Sequence, residues 1–407
     1  MGSFIVKGGA ALYGRVRVSG SKNAALPILF ASLITNGISK IHNLADIGDV
    51  RVAIRIIEAY GARVTRMGYT TFIDTRELSY TAPPEREVAS LRASTYLLSS
   101  CLARFGRAKI CNFGGCNFGP RPIDMHLLAL VSHGAKIENV EIFSKELHPS
   151  EIDFHIRSVG ATVNAIIAAA GTPGESVIRG IAEEPHIMTL ISYLKSAGAE
   201  IELIGDTLTV SGGELTGGEV TVEGDMIEAG TFIAASIMTG GRISVSGADP
   251  EHLLSFTEPL RQSGVNINTD ALVTAYGKPR APLSFIAAPY PAFPTDLQPI
   301  AAPLLAHSGG TLTDTVWKTR FGYLTELSKL GVASRRLENT AEIFPSEIKA
   351  GEVRAPDLRG GAALLLAALA ADGESIIHSA ELVLRGYESL VEKLTLLGAE
   401  IEYKSDM

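Results

Sequence analysis

A glycine corner recurs six times along this chain of 407 residues, and this repetition constrains the fold more than any other feature. In the clear copies a helical stretch ends at Gly-Ala, and Val or Ile follows two residues later, as in Gly61-Ala62-Arg63-Val64. The spacing of roughly 64 to 73 residues exceeds that of solenoid repeats and fits a small βαβαββ unit. The six corners begin at Gly61, Gly134, Gly198, Gly264, Gly331 and Gly398.

The segments between the corners repeat the same order of elements. Each copy opens with a polar or glycine cap and an apolar helix, which stops at a glycine turn before a short β-branched strand. A second helix then runs into the corner, where glycine supplies a left-handed C-cap. Six units in two groups of three, with a break near Glu223-Gly224, fit two domains of about 200 residues. The alternative is two unrelated α/β domains with coincidental corners.

The amino-acid composition limits the classes of function that this protein can have. Hydrophobic residues at 46% and charged residues at 20% are typical of a well-packed globular protein. A net charge of -8 without a basic stripe argues against a nucleic-acid partner, although a local positive pocket could still bind a small anion. The longest small-apolar run, residues 361–371, is too short to span a bilayer. We therefore expect no membrane association, and no obligate protein partner is evident.

The sequence contains no pattern for a metal or a redox cofactor. Its nine histidines show no His-x-x-x-His spacing, and neither a Walker-type nor a Gly-x-Gly-x-x-Gly loop occurs. Three cysteines without a visible secretory leader indicate a reducing compartment, so we expect a cytoplasmic protein. We predict no metal and no cofactor.

A lysine lies at the start of the first helix, in Gly20-Ser21-Lys22-Asn23. Backbone N–H groups at such a turn favour an anion, so Lys22 could contact a phosphate or a carboxylate. The motif is equally compatible with an ordinary capped helix and a solvated lysine.

Cys116 lies in a loop with three glycines and two prolines, residues 113–122. A cysteine on such a segment can be exposed and then covered, whereas Cys101 and Cys111 have apolar surroundings typical of a core. A thiol with a pKa of about 8.5 is mostly protonated at neutral pH and can serve as a general acid.

Asp296 follows Pro294-Thr295 at the start of the fifth unit's helix. By itself it is compatible with an ordinary first-turn acid favoured by the helix dipole. Four arginines lie beside glycine-rich or aromatic corners, and each alone is compatible with a surface position. They are Arg92, Arg121, Arg320 and Arg385.

Taken together, these motifs resemble the enolpyruvyltransferase family over nearly the whole chain. The Ser-Lys-Asn turn, the cysteine loop and Pro-Thr-Asp occur in the family's order, which makes the combination specific. The other matching stretches are Leu91-Arg92-Ala93-Ser94, Ser158-Val159-Gly160-Ala161-Thr162, Thr319-Arg320-Phe321 and Arg385-Gly386-Tyr387-Glu388.

The resemblance implies two inside-out α/β-barrel domains, each of three βαβαββ repeats with the helices in the centre. The first domain would span residues 22–223 and carry the Cys116 loop. The second would combine residues 1–21 with residues 224–407, and the active site would lie in the interdomain cleft.

The resemblance also implies an addition–elimination reaction. The enolpyruvyl group of phosphoenolpyruvate would pass to the 3-hydroxyl of UDP-N-acetylglucosamine with release of phosphate, the first committed step of peptidoglycan synthesis. Cys116 would be the acid, Asp296 would accept or steer the hydroxyl proton, and Lys22 would also be catalytic. The substrate-binding residues would be Lys22, Asn23, Arg92, Arg121, Pro122, Ile123, Asp124, Met125, Ser158, Val159, Gly160, Asp296, Val316, Arg320 and Arg385.

Some positions depart from the family pattern. Met226 replaces an arginine, His186 replaces a glutamate, Leu384 replaces a common aspartate, and Lys318-Thr319 replaces Glu-Asn. The acid, the base and the anion-binding residues are unaffected. Two alternatives stay open, namely transfer to another uridine nucleotide such as UMP in specialised metabolism, and a non-catalytic regulatory paralogue. The shikimate-pathway branch is disfavoured because it has a different turn after Ser-Lys and no loop cysteine.

Overall fold

The computed structural model describes residues 2–115, 119, 121–270 and 272–405, which divide into two compact units. The middle unit comprises residues 20–115 and 121–223. The terminal unit comprises residues 2–19, 119 and 224–405, and so contains both ends of the described chain.

The described residues form short strands and helices in alternation. In chain order, strands β1 to β23 are Gly2–Gly8, Tyr13–Arg17, Ile38–His42, Arg63–Met67, Thr70–Asp74, Arg107–Lys109, Lys136–Glu138, Glu141–Phe143, Glu151–Asp153, Gly174–Arg179, Glu200–Ile204, Thr207–Gly212, Glu219–Thr221, Arg242–Ser246, Asn266–Asn268, Val273–Tyr276, Leu283–Ala287, Gly310–Asp314, Ser334–Leu337, Thr340–Ile343, Glu352–Arg354, Gly373–His378 and Glu400–Ser405. Helices α1 to α14 are Lys22–Ala31, Gly48–Ala59, Glu85–Ser90, Leu97–Phe105, Asp124–Ser132, Val159–Ala170, Pro185–Ser196, Met226–Thr239, Leu254–Gln262, Gln298–Leu305, Tyr323–Lys329, Leu358–Ala370, Glu381–Leu384 and Leu390–Leu396. Short 3-10 helices are Ser32–Ile34, Arg92–Tyr96, Pro250–Leu253 and Thr295–Leu297.

Five four-stranded sheets share one pairing pattern, in which a parallel pair is followed by two antiparallel neighbours. In the first, β13 runs parallel to β3, which pairs antiparallel with β5, and β5 pairs antiparallel with β4. A sixth sheet has three strands among the described residues, in the order β6-β8-β7. The repeated pattern confirms that the chain is built from copies of one unit. The other four sheets are ordered β9-β10-β12-β11, β2-β14-β16-β15, β17-β18-β20-β19 and β21-β22-β1-β23.

The start of the chain completes two sheets of the terminal unit. Strand β1 lies between β22 and β23, with Phe4 opposite Ile377 and Tyr403. Strand β2 pairs parallel with β14, and Val16 lies opposite Val245. Residues more than 200 positions apart in the chain therefore share one sheet.

The helices at the centre of the repeats are buried on all sides. Every residue of α12 except Ala370 is buried, and in the terminal unit α8, α10 and α12 pack against one another. A helix that is apolar all round must be enclosed by other elements. The strands alternate instead, as in β17, where Leu283, Phe285 and Ala287 are buried and the intervening residues are exposed. Helices inside and sheets outside confirm the predicted inside-out architecture.

The six corner glycines adopt the left-handed conformation predicted from the sequence. Their φ angles lie between 89° and 116°. A side chain is strained in this region, so each corner favours glycine. Among the described residues, no helix combines the length and apolarity needed to cross a membrane.

Candidate active site

Two arginines hold the carboxylate of Asp296 in the terminal unit. Asp296 lies in the 3-10 turn Thr295–Leu297, which leads into α10. Nη1 of Arg320 donates to Oδ1 at 2.8 Å, and Nη2 and Nε of Arg359 donate to Oδ2 at 3.1 and 3.3 Å. The arginine side chains are 5% and 2% exposed, whereas that of Asp296 is 24% exposed. The carboxylate is thus fixed by buried cations and still reaches solvent.

Neighbouring acidic groups stabilise the positive charges of Arg320 and Arg359. Burial by itself lowers the pKa of Arg320 and of Arg359, but Asp296, together with Asp357 near Arg320 and with Tyr387 and Asp225 near Arg359, raises the pKa of both above the ordinary value for arginine. The guanidinium of Arg359 also lies 5.4 Å from the centre of the Tyr387 ring. An ion pair removed from water requires such close geometry, because desolvation is costly.

Sequence reasoning missed Arg359 as a site residue. Asp357 caps α12 by accepting from the amides of Arg359 and Gly360, which places Arg359 in the first turn. The signal was available, since Arg359 is the single charged residue in the apolar segment Leu358–Ala370. A charged arginine is rarely buried unless an acidic group pairs with it, because removing its charge from water is costly.

In the middle unit, Lys22 is held at the start of α1. The hydroxyl of Ser21 caps this helix by accepting from the amide of Ala24 at 3.4 Å. Nζ of Lys22 lies 3.4 Å from Oδ2 of Asp49, and Asn23 follows, half-buried. Helix N-termini attract anions, so the local geometry suits a phosphate or a carboxylate.

Arg92 and Arg121 lie together in the same unit. Nη2 of Arg92 donates to the carbonyl oxygens of Arg121 and Pro122 at 2.7 and 3.4 Å. Over the described part of the chain, no carboxylate pairs with Arg92. Gly115 approaches both arginines closely, because a Cβ there would lie 2.7 Å from Cβ of Arg92 and 2.9 Å from Nη1 of Arg121. The residue directly before Cys116 therefore contacts this pair.

His126 joins the two segments predicted to hold the nucleotide. One segment leads through Ile123 into α5, which begins at Asp124 and includes Met125. The other is the start of α6, where Ser158 accepts from the amide of Ala161 and precedes Val159 and Gly160. A Cβ on Gly160 would lie 2.6 Å from Nε2 of His126, so glycine permits the contact. Sequence reasoning had treated the lone histidines as ordinary residues.

The environment of His126 keeps its ring neutral at pH 7. Burial, followed by the charge of Arg92 and the weaker effect of Arg121, lowers the pKa of His126 to about 4 against the opposing charge of Asp124. The buried Nδ1 has no hydrogen-bond partner among the described residues.

The remaining predicted residues are more scattered. Arg385 is half-buried at the end of α13, two residues before Tyr387, and Val316 is an exposed residue of the turn after β18. Cys116 lies outside the described residues. Burial raises the pKa of Cys101 to about 12, as expected for a core thiol, whereas Cys111 is half-buried. No cluster of three potential metal ligands occurs in the described part of the chain.

The comparisons with known proteins agree on the family to which the chain is similar. The family model of EPSP synthase (3-phosphoshikimate 1-carboxyvinyltransferase) matches residues 6–394. A UDP-N-acetylglucosamine 1-carboxyvinyltransferase of Chlorobaculum parvum is 38% identical, covering 99% of this chain and 98% of the relative. UDP-N-acetylglucosamine 1-carboxyvinyltransferase 1 of Symbiobacterium thermophilum is 41% identical, covering 98% and 94%.

A solved structure agrees with these relatives. The enolpyruvyl transferase NikO from Streptomyces tendae superposes with a TM-score of 0.90 at 27% identity, covering 100% of this chain and 99% of NikO. The repeated sheets, the buried helices and these matches over nearly the full length lead to one conclusion. The chain belongs to the enolpyruvyltransferase (carboxyvinyltransferase) family.

Proposed function

We propose that this protein transfers the enolpyruvyl group of phosphoenolpyruvate to the 3-hydroxyl of UDP-N-acetylglucosamine and releases phosphate, in the cytoplasm, as a step of peptidoglycan synthesis. One observation carries the proposed acceptor. Relatives named for this acceptor are 38% and 41% identical to the chain and cover 98% or more of it.

The cations account for anion binding. Lys22, Arg92, Arg121 and Arg385 hold the phosphate and carboxylate groups of phosphoenolpyruvate. Arg92 suits this role because its described partners are carbonyl oxygens, which leave its positive charge uncompensated. Fixed cations stabilise the charge that develops on the phosphate and at the reacting carbon.

The acid–base groups account for proton movement. The 3-hydroxyl oxygen bonds to C2 of phosphoenolpyruvate, C3 takes a proton from the Cys116 thiol, and Asp296 takes or steers the hydroxyl proton. C3 then loses a proton as phosphate leaves from C2, which restores the double bond in the product. The position of Asp296 supports its role, because the carboxylate is fixed from the buried side and reachable from solvent.

The nucleotide sugar is assigned to the segments around His126. Residues 121–125 and 158–160 hold the uridine diphosphate, Asn23 contacts the sugar, and Val316 is a further substrate-binding residue. The proximity of His126 to Gly160 supports this assignment, because it places both segments at one location in the middle unit.

A phosphate-release assay tests the proposal. Phosphoenolpyruvate is offered with UDP-N-acetylglucosamine, with other UDP-sugars and with UMP, and we expect turnover with the first acceptor. Lys22→Gln should abolish most turnover, whereas the matched control Lys40→Gln, at an exposed lysine of the same unit, should not. Faster turnover of UMP would establish the alternative nucleotide substrate, and binding without turnover of any acceptor would establish a non-catalytic paralogue.

A further inference from the structure

Asp314 links the residue before Asp296 to the turn that leads to Arg320. It is the last residue of β18 and is completely buried. Oδ2 accepts from the hydroxyl of Thr295 at 2.6 Å, and Oδ1 accepts from the amides of Val316 and Trp317 at 2.9 and 2.7 Å. A buried carboxylate is stable only with such partners.

Arg320 donates hydrogen bonds to both Thr295 and Asp296. Its Nη1 donates to Oδ1 of Asp296 at 2.8 Å, to the carbonyl oxygen of Thr295 at 3.1 Å and to the hydroxyl of Thr295 at 3.3 Å. Its backbone amide donates to the carbonyl oxygen of Trp317 at 2.9 Å. Hydrogen bonds therefore run in a ring from Asp314 through Thr295, Arg320 and Trp317 back to Asp314.

We propose that Asp314 is a positioning residue for the acid–base step, an inference that rests on the proposed function. It contacts no reacting atom in this scheme. Through Thr295 and the turn of Val316 and Trp317, it fixes the guanidinium of Arg320 and thereby the orientation of the Asp296 carboxylate. Positioning to within a fraction of an ångström is what an acid–base group requires.

Asp314→Asn preserves shape but breaks the ring. If Oδ1 still accepts from the two amides, the new NH₂ group faces the hydroxyl of Thr295, which already accepts from Arg320. The proton of that hydroxyl then has no acceptor at position 314, and the negative charge near Arg320 is gone. We expect kcat to fall at least about tenfold while the KM of each substrate changes less than about threefold.

Thr295 provides an independent variant that keeps the carboxylate. Thr295→Val removes the hydroxyl and should lower kcat by a similar factor, whereas Thr295→Ser keeps the hydroxyl and should recover most of the turnover. The matched control is Thr257→Val, which removes another buried hydroxyl of the terminal unit, one that donates to the carbonyl of Leu253. The double variant Asp314→Asn/Thr295→Val should lose little more than the slower single variant, because both break one link.

Trp317 gives a readout that does not depend on activity. It is the sole tryptophan of the chain, and its amide donates to Asp314. Asp314→Ala, which removes both carboxylate oxygens, should change its emission and its quenching by acrylamide, whereas Thr295→Val should leave both unchanged because the two amide bonds remain.

The outcomes separate the two proposals. Wild-type kcat in Thr295→Val, or multiplicative losses in the double variant, would overturn the positioning role even if Asp314→Asn does not fold. Unchanged Trp317 fluorescence in a folded Asp314→Ala protein would overturn the link to the turn. If the wild-type protein turns over no acceptor, the proposed function fails, and the Trp317 measurement still decides whether Asp314 holds the turn.

Discussion

Arg320 and Arg359 of the terminal unit differ from Arg92 of the middle unit in the groups that they bind. In the terminal unit, Arg320 and Arg359 both bind one carboxylate, Asp296, and the charges of Asp357 and Asp225 also act on them. In the middle unit, Arg92 donates to the carbonyl oxygens of Arg121 and Pro122. Burial lowers the pKa of Arg92, which is the opposite direction to Arg320 and Arg359.

This difference indicates a division of labour. Two buried arginines that share one carboxylate at close range gain little from a further anion, so we expect Arg320 and Arg359 to hold Asp296. A cation bound to neutral carbonyls keeps its charge available for an anionic ligand. We therefore expect substitutions of Arg320 and Arg359 to affect stability and the chemical step, and substitutions at Arg92 to affect binding.

The same substitution in the two units should give the largest contrast. Arg359→Gln removes one of the two arginines that bind Asp296, and we expect a loss of about 3 kcal/mol in the free energy of unfolding. This value lies at the low end for broken buried pairs, because Arg320 remains and Asp296 is partly exposed. Arg92→Gln breaks hydrogen bonds to carbonyl groups alone and should cost about 1 kcal/mol or less. Chemical denaturation of both variants measures their free energies of unfolding. Equal losses in the two variants would show that Arg359 and Arg92 contribute equally to stability.

Asp296→Asn separates the chemical step from binding. The amide preserves the shape of the carboxylate, so nucleotide-sugar affinity should stay within about tenfold, or ~1.4 kcal/mol. The rate should fall by at least ~10², the usual contribution of a general acid–base group. Pre-steady-state kinetics and binding calorimetry measure the two quantities. A variant with most of its turnover would show that Asp296 is a structural acid.

The sequence predicted the repeats well because each one carries its own local signal. A glycine corner is a requirement on one φ angle, and all six corners have the left-handed value. Strands β1 and β2 carry no such signal, since their neighbours in the sheets lie more than 200 residues away. Their placement in the terminal unit was predicted from the family resemblance rather than from the residues.

The sequence named candidate site residues one by one but not the contacts between them. Asp296 was proposed from its motif, whereas its hydrogen bond with Arg359, 63 positions along the chain, appears only in the folded structure. Asp314 was missed because a buried aspartate at a strand end looks like many others. His126 was missed because its proximity to Gly160 joins two helices that are separate in sequence.

Arg92→Gln should affect substrate binding more than the chemical step. Because Arg92 is proposed to hold phosphoenolpyruvate, we expect its KM to rise about tenfold, equivalent to ~1.4 kcal/mol, with a smaller change in kcat. Steady-state kinetics with each substrate varied in turn provides the measurement. Arg86→Gln, at an exposed arginine of the same unit, is the control. A fall in kcat at constant KM would contradict the division of labour.

The smallest expected effect concerns pH and the neutral ring of His126. Its pKa of about 4 in the folded protein lies below the ordinary value of 6.5, so the unfolded chain takes up a proton first as the pH falls. The resulting stability is complete above pH 6.5 and is lost progressively down to about pH 4. Between pH 7 and 5.5 the loss due to His126 should be about 1 kcal/mol.

Between pH 7 and 5.5, His126→Gln should lose about 1 kcal/mol less of its free energy of unfolding than the wild type, because glutamine does not titrate in this range. His155→Gln, at an exposed histidine of the same unit, should leave the slope unchanged. Other buried histidines, such as His133 with its lowered pKa, contribute equally to all three proteins, so the difference between the profiles isolates His126. Parallel profiles for wild type and His126→Gln would mean that neither burial nor the charges of Arg92 and Arg121 lower the pKa of this ring in the folded protein.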